Sequence, residues 1–295
     1  MPPIKELRQT ANVKKKRGII LAAVLAAGLG GLLWLLFFRG EPEPVYQGKR
    51  LTKWLEVYTG PITTDHEKQL KEADDAVRHI GTNAIPTLLR MLRARDSALT
   101  LKLVALAQKQ HLVKIHYVQR LLSNVQAQMA FLALGAEAKD AVPALVTIYE
   151  DNISPDSRIC TIVALRNIGP DAKAAVPLLL RVATDTNTPD QNARTVRRSA
   201  IYALGHIHSE PQSVLPALIK ALNDPDTRIR GQAAGSFAEF GPDAKATVPI
   251  LFKLLEDQDL IVRINAAEAI KNIDPEAAAQ RKAEIDAAIA RPKPQ

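Results

Sequence analysis

The sequence of 295 residues contains one cysteine, two tryptophans, five tyrosines and six phenylalanines. Cys160 alone can form neither an internal disulfide nor a four-cysteine zinc site. So few aromatics, in a chain that is 47% hydrophobic, leave Ala, Leu, Val and Ile as the apolar stock. That is the vocabulary of packed helices rather than of sandwiches or barrels. HExxH, GxSxG and a phosphate-binding glycine-rich loop are all missing from the sequence, so no familiar catalytic, cofactor or metal site is expected.

The formal net charge is +8, but it is unevenly placed. Residues 1–40 hold seven basic residues and one acid, while the other 255 hold 32 basic and 30 acidic ones. Gly18–Phe38 is a run of 21 residues without a charge, roughly the number a helix needs to cross a bilayer. Lys14–Arg17 precede it and only Arg39 comes after, which predicts a cytoplasmic tail (1–17), a transmembrane helix (18–38) and an extracytoplasmic remainder. A cleavable signal peptide is the alternative, but apolarity continues through Leu32–Phe38 with no small-residue cleavage site after it. The glycines at 28, 30 and 31 belong to this span. The charge therefore reports orientation, and no nucleic-acid partner is expected.

Glu41-Pro-Glu-Pro44 reads as a stiff linker. Leu51, Trp54, Leu55 and Tyr58 then recur at helical spacing, as in a capping helix that covers the first repeat. An aromatic ligand box is the other reading of this segment (39–69).

Five later stretches share an apolar helix, a turn and a second apolar run opened by proline: 77–89, 131–145, 164–179, 203–218 and 236–251. A degenerate sixth, 269–279, closes the array. The turn residues are Gly81, Gly135, Gly169, His208, Gly241 and Asp274, spaced by 54, 34, 39, 33 and 33. Glycine there predicts a left-handed helix end, and the later proline is expected in the first turn of the next helix. Upstream of the turn, Ala233, Ala234, Phe237 and Phe240, or Ala266, Ala267, Ile270 and Ile273, form one apolar stripe. A single helix pair cannot bury such a stripe alone. The expected fold is all-α, an α-solenoid of about six helical hairpins over 70–280, with a terminal cap and tail at 281–295. The wide first gap marks a helical insertion near 100–122, either an eroded repeat or an elaboration.

Residues 217–241 and 250–274 carry Leu-x-x-Leu-type helices, an Asp-x-Asp turn and then Arg and Ala-Ala in fixed phase. In this they resemble HEAT repeats, in the short form also found in bilin-lyase-like proteins. The resemblance implies a ladder of a turn acid and an Arg six residues later, here Asp224 with Arg230 and Asp257 with Arg263. At the two preceding copies Arg158 and Arg197 match, while Asn152 and Gln191 replace the acid. It also implies that the second helix of each pair lines a concave surface for protein or peptide partners. Met129, Val163, Tyr202 and Glu268, with Asn167, His206, Glu239 and Asn272, fall on the face away from the stripe.

His206 and His208 are the best metal pair by spacing, yet the second occupies a turn position and no cysteine lies near. Asp74/Asp75 and Asp257/Asp259 read as solvated or capping carboxylates rather than a catalytic pair. Function is expected to be that of a membrane-anchored, non-enzymatic scaffold for protein–protein interaction. The alternatives are a bilin-lyase-like enzyme or accessory factor, and a structural envelope spacer.

Overall fold

The computed structural model describes residues 43–94, 120–187 and 190–292. The expected membrane span and most of the expected insertion lie outside them. Among the described residues no helix is long and apolar enough to cross a membrane. The chain divides between Glu43 and Pro44 into two units, of which the second holds the repeats.

This second unit opens with a small departure from an all-helical fold. Strands β1 (Val45–Tyr46) and β2 (Lys49–Arg50) pair antiparallel around Gln47 and Gly48, both at positive φ. That is a two-residue hairpin turn, and its strand Tyr46 accepts a hydrogen bond on its carbonyl from Trp54 Nε1 at 3.2 Å. Helix α1 (Leu51–Leu55) then buries Leu51, Trp54 and Leu55. The Tyr46 ring lies 4.3 Å from His79, and the Tyr58 hydroxyl donates to Asp74 at 2.5 Å, so the cap is tied to the next helix, α2 (His66–Ile80).

The remaining helices alternate between two roles. Helices α2, α4 (Arg120–Leu134), α6 (Pro155–Ile168), α8 (Gln191–Ile207), α10 (Thr227–Phe237) and α12 (Leu260–Ile273) pack successively on one another in one row. Between them come α3 (Ile85–Leu92), α5 (Val142–Glu150), α7 (Val176–Thr184), α9 (Pro211–Ala221) and α11 (Val248–Leu254), which touch one another less and partly through 3-10 turns. Short helices α13 (Pro275–Gln280) and α14 (Lys282–Ala290) close the array. The apolar stripes sit between the helices: Ala233, Ala234 and Phe237, like Ala266, Ala267 and Ile270, are buried in one continuous core. This is an all-α repeat array, apart from the hairpin.

Four of the row helices, and α13, start on side-chain caps. Ser154, Asp190, Asp226, Asp259 and Asp274 each accept a backbone N–H from the first turn of the helix they precede. The turns that end the row helices need a correction. Gly81, Gly169 and Gly241 have φ of 59°, 76° and 50° but ψ near −140°, which is not the expected left-handed helical conformation. It is a region that only glycine occupies without strain. His208, at φ 33° and ψ 41°, is truly left-handed, which side chains tolerate. The exit there differs accordingly: α9 begins at Pro211 without a preceding 3-10 turn, and Pro216 lies inside the helix rather than in its first turn. In the other repeats Pro86, Pro143, Pro177 and Pro249 do fall in the first turn.

Two row helices approach especially closely at Gly205 of α8. A Cβ built there would lie 2.8 Å from Ser236 Cβ, and Ser236 Oγ donates to Ile201 O across the same contact. Gly205→Ala should therefore destabilise by about 1–3 kcal/mol through overpacking, against the gain of about 1 kcal/mol that Ala brings to an open helix position. A lower urea midpoint for this variant than for the parent chain is the expected result.

Candidate functional site: an arginine ladder and a groove beside it

The ladder arginines all leave the row helices eleven residues before the turn, but their partners are not those expected within one repeat. Arg197 pairs with Asp224, and Arg230 reaches Asp257 through Nε and Nη2 at 2.8 and 3.0 Å. Each acid thus meets the arginine of the preceding repeat. Within its own repeat the arginine takes the carbonyl instead: Arg230 Nη1 donates to Asp224 O and Arg263 Nη1 to Asp257 O, both at 2.8 Å. The Asp-x-Asp turn explains the division of labour. Asp224 and Asp257 also accept the backbone N–H two residues on, while Asp226 and Asp259 cap the next helix.

Arg263 meets carbonyls instead of a carboxylate. It is fully buried, and its Nε and Nη2 donate to Ala288 O and Arg291 O at the end of α14. A guanidinium at the negative end of a helix replaces the carboxylate. At the other end of the ladder, Arg158 bonds the Tyr149 hydroxyl at 2.5 Å and Asn152 Oδ1 at 3.5 Å. Gln191 makes no rung: α8 starts about one turn early, so this residue is the first of the helix and faces Arg194 at 3.4 Å.

Burial pushes the Asp257 carboxyl up, but the Arg230 hydrogen bond, the Asp259 N–H and the nearby guanidinium charges outweigh it and hold the pKa below the ordinary value. The Arg230 pKa is raised by the same hydrogen bond.

Beside the ladder, a groove of about 560 Å³ crosses α6, α8, α10 and α12. Arg166, Arg198, Tyr202, Arg228, Ile261 and Asn265 line it. Of the expected partner-face residues, Tyr202 lies in this groove. Its ring sits 4.7 Å from the Arg166 guanidinium and 4.6 Å edge-on from His206. Burial lowers the His206 pKa, with the Arg166 and His208 charges adding to it and Glu239 opposing. Met129 and Val163 are half-buried, and Glu239, Glu268 and Asn272 are exposed further along. Asn167 is used in stacking: its Nδ2 donates to Gln128 O of α4 at 2.9 Å. The periodic pattern of the sequence does not pick out Arg166, Arg198 and Arg228, which stand 3, 10 and 13 residues before their turns, off the positions expected for the face. Only helix stacking brings them together.

The family model described as HEAT repeats matches residues 215–281, and the one described as PBS lyase HEAT-like repeat matches 196–224. These stretches are HEAT repeats. No curated protein matches the chain. Both matches fall where the HEAT ladder has its acids, which is the part of the array that keeps its pattern most fully.

Other candidate groups in the HEAT array are occupied structurally. Cys160 is buried, and burial, with the Asp156 charge, pushes its thiol up to about 12. His208 Nδ1 lies 3.0 Å from His206 O, and no cluster of metal-ligating side chains occurs among the described residues. Asp74 accepts from Tyr58 and Asp75 from Arg78.

Asp224→Ala would leave the Arg197 guanidinium, 4% exposed, without its charge partner. It should cost roughly 3–5 kcal/mol in urea unfolding. Asp257 carries a pH signature as well. Its folded pKa lies below the unfolded value of about 3.9, so its contribution is full above that pH and lost as pH falls through the folded value. The parent chain should lose stability below about pH 4, and Asp257→Asn, already weaker at neutral pH, should lose less over the same window.

Proposed function

We propose that this protein is a membrane-anchored, non-enzymatic scaffold that binds a protein partner outside the cytoplasm on the face formed by its row helices. HEAT repeats suggest a scaffold for protein interaction, and the observation that carries the finer reading is the groove. It crosses four successive helices, exposes Tyr202 and Ile261, and gathers three arginines beside them. Large apolar and arginine side chains in one concavity are what protein interfaces concentrate at their centres. The raised pKa of the buried Cys160 thiol supports a binding role over a thiol-based transfer reaction. Anchorage and orientation rest on the uncharged run 18–38 and the basic residues before it.

A photo-crosslinking side chain placed at Tyr202 in cells should capture one protein in a stoichiometric adduct, and the same probe at Lys220, on α9, should not. Equal capture from both positions would count against the row-helix face. For the anchor, protease admitted to the outer side of the membrane should digest the repeats; protection there would reverse the orientation.

A further inference from the structure

The groove contains more positive charge than its surroundings use. Arg181, Arg194, Arg197, Arg230 and Arg281 each lie within 4.0 Å of a carboxylate oxygen. Arg166, Arg198 and Arg228 form no such ion pair among the described residues. Arg166 donates only to Asn167 Oδ1, at 3.3 and 3.0 Å, and stacks over Tyr202. Burial lowers its pKa, as expected for a guanidinium withdrawn from water without a counter-charge. Asp259, an acid in the groove wall, accepts the Ile261 N–H as a helix cap.

The floor of the groove is helix backbone at Gly231, whose carbonyl accepts from Asn265 Nδ2 at 2.8 Å. Gly231 lines it, and Gly235 stands one turn further along the same face of α10. Neither has a positive φ, and an added Cβ would meet nothing closer than 3.6 Å, which is ordinary contact with Asn265. Gly205, by contrast, is forced by Ser236 at 2.8 Å. A glycine inside a helix costs about 1 kcal/mol relative to alanine, so both carry a cost that neither backbone nor packing requires. At Gly231 the missing side chain keeps the groove low between Arg198 and Tyr202 on α8 and Ile261 and Asn265 on α12.

We propose that this groove binds an acidic peptide segment of the partner, with two or more carboxylates on Arg166, Arg198 and Arg228 and one large apolar side chain over the glycine floor between Tyr202 and Ile261. The proposal rests on the scaffold function and names the class of partner. Arginine matches carboxylate geometry with paired donors, and Ile261 and Tyr202, 59% and 36% exposed, supply the apolar contact. A nucleic acid fits less well. Glu268 is exposed on α12 and Glu239 in the 3-10 turn that follows α10, and a phosphate backbone running along the row would meet them.

The test uses the purified full chain in mild detergent and fluorescence anisotropy with three labelled probes. One is a dodecapeptide of alternating Glu and Ser around a central Leu, the second replaces every Glu by Gln, and the third is a dodecathymidylate. The acidic peptide should bind at least tenfold more tightly than the other two and weaken with added salt. Arg198→Gln/Arg228→Gln and, separately, Gly231→Leu should each reduce that binding at least tenfold, while Lys220→Gln on α9 leaves it within about twofold; Gly231→Ala should raise the melting temperature. Equal binding of the Gln peptide, tighter binding of the oligonucleotide, or full binding by the arginine double variant would overturn the proposal. If the protein captured at Tyr202 still binds the double variant normally, the acidic-segment inference falls and the scaffold function stands. If nothing is captured at Tyr202, the scaffold function falls with it.

Discussion

A guanidinium taken out of water needs its charge and its donors matched, and for Arg197, Arg230 and Arg263 part of that match comes from the unit that follows. Arg197 depends on Asp224 of the next repeat and on Ala183 O at the end of the preceding helix α7. Arg230 depends on Asp257, and Arg263 on the carbonyls that end α14. A helix pair removed from the stack would keep a desolvated charge with half its partners gone, which is far costlier than a lost apolar contact. The ladder therefore does more than add stability. It makes each repeat conditional on the next, which is nearest-neighbour coupling in chemical form.

The coupling changes character along the chain. Toward the N-terminus neutral groups take over: Asn167 donates to Gln128 O, Ser157 Oγ donates to Leu92 O at 2.6 Å, and Arg158 leans on the Tyr149 ring. These bonds cross the same helix–helix contacts without a buried ion pair. An aromatic and hairpin cap closes that end, whereas the C-terminal end closes on helix carbonyls. Two different closures arise from two different kinds of exposed edge, one apolar and one charged.

Much of this is legible in the residues. The repeat period, the stripe at Ala266, Ala267 and Ile270, and the capping role of Asp226 and Asp259 come from local spacing, because helices and caps are local structures. The ladder residues can be named from the sequence, but their pairing cannot. An Asp and an Arg six apart in one repeat look like partners, yet the turn aims the carboxylate backward along the stack. Gln191 misleads because three extra residues of helix at the start of α8 shift the turn without disturbing the apolar phase. The three groove arginines come from different repeats at different offsets, so no periodic pattern contains them. The need for glycine at 241 is visible in the repeat, but its ψ is a property of the particular turn, and His208 shows that another exit is available.

The groove stands against the logic of the ladder. In the ladder Arg197, Arg230 and Arg263 find partners across the stack, and small residues such as Gly205 are explained by what touches them. On the same helices, within two residues of ladder arginines, Arg198 and Arg228 form no ion pair among the described residues, and Gly231 and Gly235 have no contacts that require glycine. A stack selected only for its own stability would place an acid opposite such arginines and alanine at such glycines, since both changes are locally cheap and favourable. Costs that persist beside so thoroughly satisfied a network locate where the array meets something other than itself.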